Sequence, residues 1–461
     1  MKPNKNETIR VTVDGMNDLG NGVAHYDGFC VFVTGAVVGD ECEVRVIKVT
    51  SGYAVARMEK LLSPSPYRVA DACTAKGCGG CAYRALSYEH ELSLKHEDVV
   101  HAFRKAGLSR VTVLPVLTAG VTEGYRNKAQ YPVAADKNGA PVAGFYASHS
   151  HRVVAASQCP LQAAAFSDIV DTVLSFMKEK GITAYSEETG MGLVRHLYFR
   201  CNSDQSKILL TLVVNGKALP DEDTLVTMLT TRFPAVTGIL LNINEKNTNV
   251  ITGDVYRTLY GDETLVDELC GITLEIPPQS FYQVNHDAAE LLYRKAAELL
   301  MLCGDETLLD LYCGVGSVGL SMAKSVRRLI GVEIIPEAIR YAKKNAARNG
   351  IENAYFFCGD AANTEELLTA AEAEIGRIAP DAVILDPPRK GCAPSLIDYV
   401  ANRVFPPKIA YISCNPDTLA RDCALFARYG YEIGAVTPVD LFPRTGHVES
   451  VVCLTRSAKA T

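Results

Sequence analysis

From residue 286 onward the chain alternates short apolar runs with helical segments, and few folds accept that alternation. Runs over 307–311, 328–332, 354–358, 382–385 and 409–413 read as strands, and helical periodicity appears over 287–302 and 336–349. Strands alternating with helices wind into an open, mostly parallel sheet. A glycine loop follows the first run, and the others end at Glu333, Asp360, Asp386 and Cys414. Ligands bind just past the strand C-termini of such sheets, so these residues should share one crevice. Two last runs, 431–436 and 449–454, are expected to form an antiparallel edge pair.

The first 62 residues follow another period. Ile9, Val11 and Val13 alternate with polar neighbours, as do Phe29, Val31 and Val33, and Cys42, Val44 and Val46. About five short strands in this length suit a closed OB-like barrel. Such barrels often bind oligonucleotides; a purely structural add-on is the plain alternative. Ser63, Pro64, Ser65 and Pro66 read as a linker. A cysteine-rich segment follows, then a helix over 87–106 stopped by Gly107. Residues 125–270 mix both patterns, with buried strands expected over 208–214 and 238–243. The expected fold is multidomain α/β: a barrel over 1–62, a central mixed domain over 63–270 and a Rossmann-like domain over 271–461. The 87–106 helix is a candidate to pack with the last domain.

The chain's 461 residues suffice for about three domains. Its net charge of −7 speaks neither for nor against nucleic acid, because RNA enzymes often gather basic residues on one face. The N-terminus is polar, unlike a signal peptide, and no apolar run approaches the ~20 residues of a membrane helix. A soluble cytoplasmic protein is expected, with no membrane association and no obligate protein partner evident. Fifteen cysteines in a reducing compartment point to metal or catalysis where they cluster. Cys30, Cys270 and Cys453 read as small core residues.

Gly314, Gly316 and Gly319 have the G-x-G-x-x-G spacing that lets a backbone turn tightly against a ligand. Glu333 ends the next strand, where a carboxylate can accept both ribose hydroxyls of an adenosine group. The glycines alone fit a nicotinamide dinucleotide as well as S-adenosylmethionine. Asp310 ahead of the loop, Asp386-Pro-Pro-Arg389 after the fourth strand and a cysteine after the fifth favour the methyl donor.

Ser413-Cys414-Asn415-Pro416 follows a strand, and His447 and Glu449 precede the last one. This pair suits methylation at C5 of a uracil. C5 is too weak a nucleophile until a thiolate adds to C6. After transfer, a base must take the C5 proton before the thiol can leave. The thiol needs a lowered pKa, which His447 or a helix N-terminus could supply. A core thiol at 414 and a solvated charge at 449 are the plain alternatives.

Ser280-Phe-Tyr-Gln-Val-Asn285, Asp310-Leu-Tyr-Cys-Gly-Val-Gly316, Asp386-Pro-Pro-Arg-Lys-Gly391, Ser413-Cys-Asn-Pro416 and Gly446-His-Val-Glu449 together resemble the RNA uracil-5-methyltransferase family. The likeness covers almost the whole chain. It is strongest to the bacterial 23S ribosomal RNA members with an N-terminal TRAM barrel and an iron–sulfur cluster. It implies that Gln283, Tyr312, Glu333 and Asp386 contact the donor or lie beside the target base, with Asp360 near the adenine. Cys414 is implied as nucleophile and Glu449 as base. Phe281 would lie near the target base or else be a core aromatic. Ribosomal RNA is the implied substrate, with transfer RNA the alternative.

Cys73, Cys78 and Cys81 supply three thiols in one loop, Gly79 and Gly80 leave room for backbone N–H groups to reach sulfur, and Cys159 beside Pro160 is a plausible fourth ligand. Spacing alone leaves zinc and iron–sulfur equally open; the resemblance implies [4Fe–4S]. A radical enzyme needs an open iron with C-x3-C-x2-C spacing, which this loop lacks. Arg126, Lys128, Arg195, His196, Arg389 and Lys390 are candidate contacts to an RNA backbone. Arg327, Arg328, Lys343 and Lys344 read as solvated helix charges.

Overall fold

The structure is a computed structural model that describes residues 2–71, 73–148 and 150–456. Among the described residues, the N-terminal strands close into a five-stranded barrel from Thr8–Met16 to Tyr53–Ser63. The alternation explains it: Ile9, Val11, Val13, Val31, Val33, Val44 and Val46 all point inward and bury their side chains together. The last strand ends at Ser63, the first residue of the expected linker.

A seven-stranded sheet follows, with Lys128–Ala135 and Val194–Cys201 as antiparallel neighbours. Ile208–Val214 is buried at every position. The helices Ala164–Glu179 and Glu222–Arg232 cover one face through Phe166, Ile169, Val173, Leu225 and Leu229.

The C-terminal sheet has eight strands. Five run parallel in the order Ala354–Cys358, Arg328–Glu333, Thr307–Leu311, Ala382–Leu385 and Lys408–Ser413. The expected edge pair differs in one respect. Glu449–Arg456 lies between Lys408–Ser413 and the true edge strand Tyr431–Ile433, antiparallel to both. A short strand, Thr437–Val439, also pairs with it. The hairpin of Leu265–Leu269 and Ile272–Ile276 belongs to this core. So does the helix Tyr88–Lys105, whose Val99, Ala102 and Phe103 pack with Leu309, Val383 and Tyr411.

One buried charge ties that helix to the sheet. Lys95 donates to Glu91 Oε1 (2.8 Å), Asp440 Oδ1 (2.7 Å) and the Phe442 carbonyl (3.1 Å), and none of the three charged side chains meets solvent. Glu91 also accepts from the Arg444 backbone N–H at 2.7 Å, and Tyr88 donates to Asp440 at 2.7 Å. Removing one member of such a cluster leaves a buried charge unpaired. Lys95→Met is therefore expected to cost on the order of 3–5 kcal/mol in urea unfolding; a loss below about 1 kcal/mol would contradict this reading.

Candidate active site

The antiparallel register builds the centre of the site. Ser413 pairs with Ser450, so the next residues outward, Cys414 and Glu449, are cross-strand neighbours. Likewise Leu311 pairs with Leu385, which sets Tyr312 beside Asp386. Cys414 precedes the helix Pro416–Arg428, whose N-cap Asn415 accepts from Asp417 N–H (3.0 Å) and Thr418 N–H (3.4 Å). A half-buried thiol thus faces the positive end of a helix.

Cys414 opens into a cavity of about 480 Å³ shared with Arg389, His447 and the helix residues Asp98 and His101. Met16, Asn17 and Asp18 of the barrel form another wall. Burial pushes the thiol up to about 11; Glu449 and Asp386 add to this, and Arg389 opposes it. Sequence reasoning offered His447 as the acidifying cation. Burial and Arg389 instead hold His447 below its usual value, and Arg389 Nη2 lies 3.2 Å from its Nε2. Arg389 is the cation that opposes the rise of the thiol.

Glu449 is 4% exposed. Burial first and Asp386 second raise its carboxyl to about 8, against a partial counter-effect of Arg389. Burial raises Asp386 to about 7 and Asp310 to about 8. Asp310 Oδ2 accepts from Gly319 N–H at 3.0 Å, while Oδ1 is buried without a partner. A Cβ on Gly319 would meet Asp310 Oδ2 at 2.6 Å, so only glycine allows this bond. Gly314, at φ +56, faces open space, which leaves a cradle for a ligand. Glu333 accepts from Gly314 N–H (3.2 Å) and Ile335 N–H (3.0 Å), beside the exposed Ile334 and Ile335. Tyr312 is half-buried at φ +70. Asp360 is exposed and caps the turn Ala361–Asn363 through Ala362 N–H at 2.9 Å. Its carboxylate lies past the third strand, in line with the others.

Gln283 is buried, and its carbonyl accepts from Asn127 Nδ2 at 2.9 Å. Phe281 is 68% exposed, which rules out the core-aromatic reading. Its loop is held from the central sheet: Tyr198 OH and Arg200 Nε donate to the Pro278 carbonyl at 2.6 and 3.1 Å, and Arg200 Nη2 donates to the Ser280 carbonyl. Sequence reasoning missed both residues, because nothing local marks a bond across 80 positions.

Two candidate RNA contacts prove structural. Arg195 is buried and donates to the carbonyls of Asn244, Lys246 and Thr248. His196 is also buried, its imidazole pushed down to about 4. Arg126 and Lys128 are half-buried; Arg389 and Lys390 are exposed. Arg328 and Lys344 are not free either: Arg328 donates to the Ile375 and Arg377 carbonyls, and Lys344 pairs with Glu275 at 2.6 Å.

Cys73, Cys78, Cys81 and Cys159 line one cavity of about 110 Å³ with Arg84 and Arg126. Gly80 N–H reaches Cys78 Sγ at 3.4 Å, whereas Gly79 N–H donates to the Tyr146 carbonyl. Burial pushes Cys81 up to about 12, and Cys159 adds to this. Among the described residues, no three His, Cys, Asp or Glu side chains converge closely enough to hold a metal ion as they stand.

The raised carboxyls make a pH prediction. Folded Glu449 keeps its proton to about pH 8, whereas the unfolded carboxyl loses it near 4.5. The native state then holds the extra proton, so stability falls as pH rises between these values, by up to about 1.4 kcal/mol per pH unit. Glu449→Gln removes one proton's share of that slope in donor-free protein, measured by urea titration at stepped pH. An unchanged slope would contradict the assignment.

Residues 257–457 match the tRNA (Uracil-5-)-methyltransferase family, and residues 3–58 match the TRAM domain. An uncharacterized RNA methyltransferase of Bacillus cereus is 39% identical over 99% of this chain and 98% of its own length. One from Halalkalibacterium halodurans is 38% identical over 98% and 97%. Among solved structures, the Pyrococcus abyssi tRNA (uracil-54, C5)-methyltransferase in complex with S-adenosyl-L-homocysteine aligns with a TM-score of 0.78 at 27% identity, covering 97% of this chain and 100% of that one. With the strand-end crevice already described, these matches place the chain in the RNA uracil-5-methyltransferase family, as an S-adenosylmethionine-dependent enzyme.

Proposed function

We propose that this enzyme methylates C5 of a uridine through a covalent bond between Cys414 and C6 of the ring. The observation that carries this is that the Ser413–Ser450 register sets Glu449 next to Cys414, close enough for its charge to act on the thiol, where Cys414 opens into the cavity. Arg389 and the helix terminus favour the thiolate. As the Cys414 Sγ–C6 bond forms, the ring's electron pair moves toward C5. S-adenosylmethionine supplies the electrophilic methyl and a positive charge. Glu449 then takes the C5 proton, the Sγ–C6 bond breaks and the ring double bond returns. The buried carboxyl's high proton affinity suits it to that step. Phe281 would stack on the turned-out base, and Gln283 would hold its edge. For the donor, Glu333 would take the ribose hydroxyls, Asp310 and Gly314 the amino-acid end, and Tyr312, Asp360 and Asp386 the remaining contacts.

We further propose a [4Fe–4S] cluster on Cys73, Cys78, Cys81 and Cys159. Zinc bound at ~2.3 Å needs four sulfurs drawn onto one point. These four thiols line one cavity, and the family resemblance implies a cluster there, with zinc the alternative. The proposed division is barrel, central domain and methyltransferase domain over 1–62, 63–270 and 271–461, with the strand Leu265–Leu269 and the helix Tyr88–Lys105 packing on the last of these. The free cysteines and an RNA substrate favour the cytoplasm; among the described residues no helix is long and apolar enough to cross a membrane. The proposed substrate is 23S ribosomal RNA. Transfer RNA is a second reading, favoured by the full-length likeness to the archaeal enzyme.

Cys414→Ala should abolish methylation and leave no RNA adduct. Glu449→Gln should transfer methyl once and accumulate an adduct that survives denaturation. Full turnover by either variant would refute its role, and mapping 5-methyluridine in total RNA with and without the protein decides the substrate. Anaerobically purified protein should contain about four iron and four sulfide per chain; zinc without sulfide would overturn the cluster.

A further inference from the structure

Lys128 and Arg200 stand directly opposite each other on neighbouring antiparallel strands of the central sheet. Like charges so placed repel, and the fold keeps them anyway. No carboxylate compensates: among the described residues neither side chain has an ion pair, and the charged groups acting on Lys128 are Arg200 and Arg126. Among the described residues the Lys128 side chain makes no hydrogen bond, although it is half-buried. Arg200 is 1% exposed; it gives two donors to the 278–280 loop, and its Nη1 has no partner. An unpaired donor this deep normally finds an acceptor. Local conflicts of this kind gather at functional sites.

The pair lies under the loop that presents the exposed Phe281. Lys128 is the more accessible of the two and offers three donors. Arg126, on the other side, acts on Cys81 and Cys159 and so already answers to the thiol cavity. What Lys128 and Arg200 lack is one singly charged oxygen acid at the edge of the RNA cleft.

We propose that Lys128, backed by Arg200, binds a backbone phosphate of the RNA strand next to the target uridine. The proposal rests on the RNA-methylating reading and adds a specific contact to it. Arg200 then adds its charge from beneath the phosphate site while its other donors hold the Phe281 loop, so that seating the strand and presenting the aromatic ring share one guanidinium.

The test uses full-length protein, Lys128→Met and Lys128→Arg, with a fluorescent twelve-residue oligouridylate titrated between 50 and 200 mM KCl. For Lys128→Met we expect several-fold weaker binding and a slope of log affinity against log salt shallower by about 0.7, the share of one single-strand phosphate. Lys128→Arg should restore both. The melting temperature of Lys128→Met should hold or rise, because a repulsion has been removed; a structural lysine would lower it. Unchanged affinity and slope in Lys128→Met, or a fall in stability that accounts for the loss, would overturn the proposal. Failure of the uridine reading looks different: oligouridylate binding would still depend on Lys128 while no 5-methyluridine formed.

Discussion

A lysine sealed from water, with two carboxylates and a carbonyl around it, decides where the strand of Glu449 begins. Lys95 holds Asp440 and the Phe442 carbonyl, and its partner Glu91 holds the Arg444 N–H. Tyr83 N–H and Tyr125 OH fix the Arg444 and Pro443 carbonyls in the same segment. Five residues past Arg444 the chain reaches Glu449. Glu449 is thus placed by a helix 345 positions upstream of its anchor. Burying three charges is costly in itself, so the cluster is better read as a device for geometry than as a source of net stability.

The crevice beyond it is short of positive charge. Asp310, Asp386 and Glu449 are all raised by burial, and Arg389 is the cation that acts on both Cys414 and Glu449. Such a site favours a ligand that brings its own positive charge, which suits an S-adenosylmethionine-dependent enzyme. Burial first, with Glu449 and Asp386 adding to it, holds the thiol above its usual value. A positive charge arriving among these groups would favour the ionised form of both Cys414 and Glu449.

Much of this arrangement was legible in the residues alone. Glu333, Asp360, Asp386 and Cys414 stood out because a parallel sheet collects its strand ends on one side, and the period of two gave the barrel. The rest depended on pairings that local pattern does not encode. Arg195 and His196 look like RNA contacts in a strand of alternating polar residues, but they face inward toward loop carbonyls and a buried layer. The reach of Arg200 to Ser280 crosses 80 positions, and that of Lys95 to Asp440 crosses 345. The edge pair was half legible: its partners were right, but no sequence signal says that the last strand inserts between two others. Phe281 was ambiguous because exposed and buried aromatics look alike until a neighbour is known.

The barrel meets the catalytic segment main chain to main chain. A side chain on Gly20 would strike the Ala82 carbonyl at 2.6 Å, and one on Gly446 would strike the Asp18 carbonyl. Surfaces this close leave no room for a side chain at either glycine, so the barrel seats directly against the segment that leads into Glu449. One wall of the Cys414 cavity is therefore the barrel's own edge, and a larger residue at Gly446 would push that wall outward.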